Sequence, residues 1–109
     1  MIRRERLVSE TRALSGRVGS GYMYCGRPTK YGNPFMMRAG DPRATRDAVC
    51  DNFAFTFHQD YNSQLRADFL HDARLAWKPG VGLTLLCWCG ARERCHTDTL
   101  VQFLKDMSK

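Results

Sequence analysis

No stretch of this chain stays apolar for the roughly 20 residues a membrane span requires, and no basic-then-apolar leader opens it. Membrane and secreted classes are therefore not expected. Cysteine does not come in an even set. Cys25, Cys50, Cys87, Cys89 and Cys95 make five, which together with the missing export signal argues for reduced thiols in a cytoplasm rather than a disulfide framework. Internal repeats and low-complexity tracts are absent. So are a Walker loop, a dinucleotide-binding fingerprint, a nucleophile elbow and an H-E-x-x-H pair. No motif therefore dictates a reaction.

What remains is a chain of 109 residues, 43% hydrophobic and 26% charged, which suits one soluble domain. The net charge of +6 lies entirely in the first half. Residues 1–46 hold ten basic and three acidic side chains, and residues 47–109 hold seven and eight. Such a field attracts polyanions: nucleic acid, nucleotides or phosphorylated metabolites. The plainer alternative is a solubilising surface.

Residues 1–19 are rich in arginine and turn-formers. They read as a basic arm or, from Leu7 and Val8, a short strand, with Arg3, Arg4 and Arg6 in solvent. Residues 20–109 read as the folded domain. Tyr22–Cys25 is a short β-prone run between glycines. Gly26–Phe35, with two Gly and two Pro, is a structured loop. Val49, Cys50, Phe53, Ala54 and Phe57 recur at helical spacing over 46–58, and Asp41-Pro42 or Thr45 can open that helix. Leu65, Phe69, Ala73 and Ala76 mark a second helix over 63–77, stopped by Lys78-Pro79-Gly80. Leu83–Trp88 is nearly all apolar, as in a strand covered on both faces, and this puts Trp88 in the core. Thr97 is placed to N-cap a last helix with Leu100, Val101, Leu104 and Met107 inward. This order predicts a single small α/β domain with a short, mostly parallel sheet flanked by helices. Both informative loops, 26–35 and 89–97, follow strands, so they should meet at the carboxyl edge of the sheet.

In the first loop, Gly26 and Gly32 allow close backbone approach. Arg27 and Lys30 offer charge to phosphate. Tyr31 and Phe35 offer ring faces for a base, and Asn33 can read its polar edge. A rigid turn with Phe35 as an anchor is the competing reading. In the second segment, Cys95 and His96 precede a helix N-terminus, where a thiol pKa falls and anions bind. Cys89 or Cys95 can then serve as nucleophile, with His96 as acid or base. Alternatively Cys87, Cys89, Cys95 and His96 form a Cys₃His zinc shell, although the spacing is unusual and the adjacent Cys95 and His96 converge poorly on one ion. Buried structural cysteines are the third reading.

Tyr24-Cys25-Gly26-Arg27-Pro28-Thr29-Lys30-Tyr31-Gly32-Asn33-Pro34-Phe35, then Cys87-Trp88-Cys89 and Cys95-His96-Thr97-Asp98-Thr99-Leu100, resemble the DUF4326 family over about residues 20–107. The resemblance implies a small bacterial or phage protein in a bacterial cytoplasm and no established activity. A fainter likeness, a strand ending in Cys before a Cys-His helix start, is to the family DUF488. The expectation is a basic crevice that binds a nucleotide or nucleic-acid phosphate. Arg27, Lys30, Tyr31 and Asn33 would form one wall, and Cys89, Cys95 and His96 would be the catalytic candidates of a nucleotide hydrolase or transferase of phage type. A non-catalytic protein that sequesters nucleotide or nucleic acid, and a zinc-stabilised interaction module, are the alternatives. No cofactor other than zinc is implied.

Overall fold

The computed structural model describes residues 1–6, 14–89 and 93–108. Three parallel strands form the sheet: β1 (Ile2–Arg6), β2 (Tyr22–Tyr24) and β3 (Leu83–Cys87), in the order β1-β3-β2. Three helices accompany them: α1 (Arg46–Phe57), α2 (Ser63–Ala76) and α3 (Thr97–Met107), with a single 3₁₀ turn over Asp60–Asn62 before α2. The domain is mixed α/β, as the sequence order predicts.

β3 is central because all five of its side chains are buried, which only a strand covered on both faces and paired on both edges requires. Its partners differ in kind. β2 continues its ladder one residue past its end, where the Cys25 N–H donates to the Leu86 carbonyl. β1 is nearly all charged, yet it pairs with β3 from Ile2 opposite Leu83 to Arg6 opposite Cys87. Ile2 and Arg4 turn one way and are half-buried, whereas Arg3, Glu5 and Arg6 are exposed. The N-terminal segment is thus a strand before Leu7 and Val8, which themselves lie outside the described residues. Arg4 does not sit in solvent as part of an arm. Pairing to β3 carries it inward, and an ion pair described below satisfies its charge.

Each helix starts and packs for local reasons. The Thr45 hydroxyl accepts from the Ala48 N–H at 3.2 Å and caps α1, which buries Val49, Cys50, Phe53 and Phe57. α2 buries Phe69, Ala73 and Ala76. α3 buries Leu100 and Leu104, but Met107 is exposed in its last turn. The aromatic centre is Phe57, edge-on to Phe69 and Phe103 and stacked on Phe53 at 5.6 Å. Among the described residues no helix is long and apolar enough to cross a membrane.

The strands are parallel, so their carboxyl ends share one edge. The chain leaves β2 at Tyr24 and β3 at Cys87 in adjacent register, and both motif-bearing loops start there. Trp88 is the first residue past β3 and is 58% exposed. It is not a core residue, because the ladder ends at Cys87 and the alternation that would have turned it inward ends with it.

Candidate functional site

Three cysteines converge at this edge. Cys87 closes β3, Cys89 follows two residues later, and Cys95 precedes α3; their sulfurs lie within 4.8 Å of one another. Cys87 and Cys95 are buried and Cys89 is half-buried. All five cysteines of the chain are free thiols. The three converging thiols can hold a metal ion.

Two arginines from distant elements face these sulfurs. Arg4 of β1 points Nη1 at Cys87 Sγ, 3.9 Å away, and Arg46 at the start of α1 points Nη1 at Cys89 Sγ, 3.4 Å away. Arg4 Nε also pairs with Asp98 at 3.1 Å, and Asp98 accepts the Cys95 N–H at 3.1 Å. One carboxylate thereby ties the edge strand to the start of α3, where its negative charge complements the helix dipole. Arg46 further binds the Glu93 carboxylate at 2.9 Å and the Arg94 carbonyl at 3.1 Å. Arg94 reaches back to Asp47 and Asp51 on α1. The segment after β3 is therefore clamped to α1 by reciprocal ion pairs.

The helix does not begin as the sequence suggests. Thr97 is its first residue rather than its cap, is fully buried, and turns its hydroxyl to Cys87 Sγ at 3.8 Å. The capping is done from inside by Asp98 on the Cys95 N–H. Hydrogen bonding separates the two buried thiols electrostatically. Cys95 is held below the ordinary thiol range by the Cys87 thiol and then by the Thr97 hydroxyl and N–H, which outweigh its burial. Cys87, as the donor in that pair and itself buried, is pushed up.

His96 joins the two loops. Its Nε2 lies 2.7 Å from the Cys25 carbonyl oxygen, which can only accept, so Nε2 carries the proton. Nδ1 then presents its lone pair to Cys95 Sγ, 3.5 Å away. The ring is buried edge-on to Phe53 at 5.0 Å, and burial pulls its pKa down, so the imidazole is neutral. It is not one of the converging ligand atoms, which are thiols alone.

In the first loop two of the four expected ligand residues are used internally. Tyr31 is buried against Phe69 at 5.1 Å and its hydroxyl donates to the Asp72 carboxylate; burial and that acceptor push its pKa up. Asn33 is buried, donates from Nδ2 to the Val49 carbonyl at 3.0 Å and accepts the Phe35 N–H at 2.9 Å. Gly32 is needed because a Cβ there would sit 2.8 Å from the Arg27 backbone nitrogen. Arg27 and Lys30 are exposed, and Lys30 pairs with Asp68 at 3.1 Å. With Thr29 and Asn33 they line a groove of about 350 Å³ whose other wall is Phe53, Thr56, Phe57, Asn62 and Leu65. The two loops meet through His96, but this groove is bounded by α1 and the α1–α2 corner, not by Cys89 or Cys95.

The sequence placed Thr97 as a cap and Arg4 in an arm, and did not show that Arg4, Arg46, Thr97 and Asp98 gather around the thiols. Arg46 did carry a signal. A cation in the first turn of a helix opposes the helix dipole, and its placement there makes sense only if its head is engaged elsewhere.

A model of the family described as Domain of unknown function (DUF4326) matches residues 8–106 of the 109-residue chain, reaching further toward the N-terminus than the motifs do. No curated protein matches the chain, and no solved structure does.

Proposed function

The chain belongs to the DUF4326 family, and with that as premise we propose that it is a zinc-stabilised module whose metal centre is Cys87, Cys89 and Cys95. The observation that carries this reading is the convergence of three sulfurs within 4.8 Å. Zinc–sulfur bonds of about 2.3 Å in a tetrahedron put sulfurs about 3.8 Å apart. The thiols therefore need to close by at most about 1 Å, which rotation about their own χ1 bonds supplies. Guanidinium groups of Arg4 and Arg46 lie 3.9 and 3.4 Å from the Cys87 and Cys89 sulfurs. A metal here would join the end of β3 to the start of α3, so its binding energy would add to folding energy. His96 stays outside the shell and orients Cys95. A cytoplasmic setting, bacterial or phage-encoded, belongs to the same reading, because such a centre persists where thiols stay reduced. The test is the metal content of tag-free protein purified without chelator. One zinc per chain, lost in Cys95→Ser and in Cys89→Ser, supports the reading, and no stoichiometric metal ends it.

A second reading, a phosphate-bearing ligand of nucleotide type, is favoured by the groove that Arg27, Thr29 and Lys30 line. Their charges answer a phosphate, and the groove's volume suits a small ligand. In this reading Tyr31 and Asn33 shape the loop instead of touching the ligand. Calorimetry with a nucleotide panel tests it. Binding that Arg27→Ala and Lys30→Ala weaken and Cys95→Ser leaves alone supports it, and no heat with any nucleotide removes it. Strong, steeply salt-dependent binding of DNA or RNA would instead indicate a nucleic-acid coat.

A further inference from the structure

We propose that the outer edge of β1 is an interaction surface for a second copy of this chain. The two β1 strands pair antiparallel over Ile2–Arg6 and join the two sheets into one. The inference depends on neither the metal reading nor the groove reading.

The backbone comes first. β1 stands at the end of the strand order β1-β3-β2, so β3 uses only one of its edges. The Leu83 N–H donates to the Met1 carbonyl, with Ile2 opposite Leu83. In a parallel ladder this phase gives Arg3 and Glu5 the bonds to β3 and turns the N–H and C=O of Ile2 and Arg6 outward. Among the described residues no strand takes up that outer edge. Such an edge is a template for a further strand.

Charge selects the strand. Arg3 and Glu5 share the face opposite to Ile2 and Arg4 and are exposed. Among the described residues neither side chain has an ion pair or hydrogen bond. Antiparallel copies bond to one another only where outward-turned residues stand opposite each other. Centred on Arg3, such a pairing sets the two Arg3 guanidinium groups face to face, and centred on Glu5 it does the same to two carboxylates. Centred on Arg4, all five residues pair, and each Arg3 faces the other copy's Glu5 in the non-hydrogen-bonded position, where side chains approach most closely. The two Arg4 heads beside the axis are each neutralised by their own Asp98, 3.1 Å away. The aliphatic stem of Arg6 covers the other copy's half-buried Ile2. A strand that lacks this charge pattern leaves the guanidinium groups unmatched, so the edge turns away unlike strands and mis-registered copies.

Sedimentation velocity of the full-length, tag-free chain across a concentration series tests this. The expected result is a monomer–dimer equilibrium. Glu5→Arg sets like charges opposite one another in both symmetry-related pairs and should weaken the dimer about tenfold, as should Arg3→Glu. Mixing these two variants should restore association as a heterodimer, because every pair again joins opposite charges. The doubly swapped Arg3→Glu/Glu5→Arg chain should dimerise like the parent. Arg6→Pro removes an outward N–H and no bond to β3, so it should stay folded by circular dichroism and lose the dimer. The charge variants lie in solvent and keep the test decisive if Arg6→Pro unfolds. A monomer at every concentration overturns the inference. So does a dimer that both single charge variants or a folded Arg6→Pro leave unchanged, and so does a mixture that associates no better than its components.

Discussion

Arg4 holds the edge strand to the rest of the domain, and its contribution can be worked out from its contacts. Its side chain is 13% exposed and that of Asp98 is 50% exposed, with Nε and Oδ1 3.1 Å apart. At that separation an effective dielectric constant of 20 gives a direct attraction of about 5 kcal/mol. Most of it offsets the cost of taking the guanidinium out of water, and solvent at the half-exposed carboxylate screens the remainder. A net coupling of about 1 kcal/mol is expected, between the exposed-pair and buried-pair limits. Arg4→Met also forfeits the bond to the Glu93 carbonyl, worth about 1 kcal/mol more. Asp98→Asn keeps an acceptor for the Cys95 N–H and loses only the charge. In metal-free protein, Arg4→Met should therefore cost about 2 kcal/mol, a fall of roughly 8–16 °C in Tm for a domain near 100 residues. Urea denaturation of the two single mutants and the double mutant isolates the pair. A coupling of about 1 kcal/mol is the expected outcome. If the single-mutant costs simply add, the Arg4–Asp98 pair contributes nothing to holding β1.

Two further predictions concern the first loop. Tyr31 keeps its proton to higher pH than an ordinary tyrosine because it is buried and donates to Asp72. The unfolded chain loses that proton near pH 10 while the folded chain retains it, so stability should fall as pH rises above about 10. Tyr31→Phe should flatten that limb in urea denaturation series taken between pH 8 and 11; an unchanged slope would mean Tyr31 titrates normally. Asn33→Ala should cost about 1–3 kcal/mol, since it leaves the Val49 carbonyl and Phe35 N–H without their side-chain partner. Asn33→Asp should cost more, because a carboxylate facing the Val49 carbonyl cannot donate; equal stability of Asp and Asn in chemical denaturation would refute the assigned orientation.

How much of this could be read from the sequence depended on how far each residue's partner lies along the chain. The three helices and β3 were legible because their buried faces repeat within a dozen residues, and Leu83–Cys87 is apolar throughout. β1 was not, because Ile2-Arg3-Arg4-Glu5-Arg6 has a single apolar residue and becomes a strand only when β3, eighty residues away, supplies the ladder. Trp88 was misplaced because a sequence does not mark where a ladder stops. The meeting of the two loops followed from parallel topology, and His96 on the Cys25 carbonyl realises it. Tyr31 and Asn33 looked like recognition residues because phenol and amide serve a ligand or an interior equally well. Only the positions of Asp72 and the Val49 carbonyl decide which. The three thiols were visible as a group, whereas the arginines facing them come from other elements and were not.

The most direct test of the metal centre is X-ray absorption at the zinc edge of the purified, tag-free protein. Three sulfur scatterers at about 2.3 Å with one lighter atom completing the shell is the expected spectrum. A shell of nitrogen and oxygen only, or protein that carries no zinc, would contradict it.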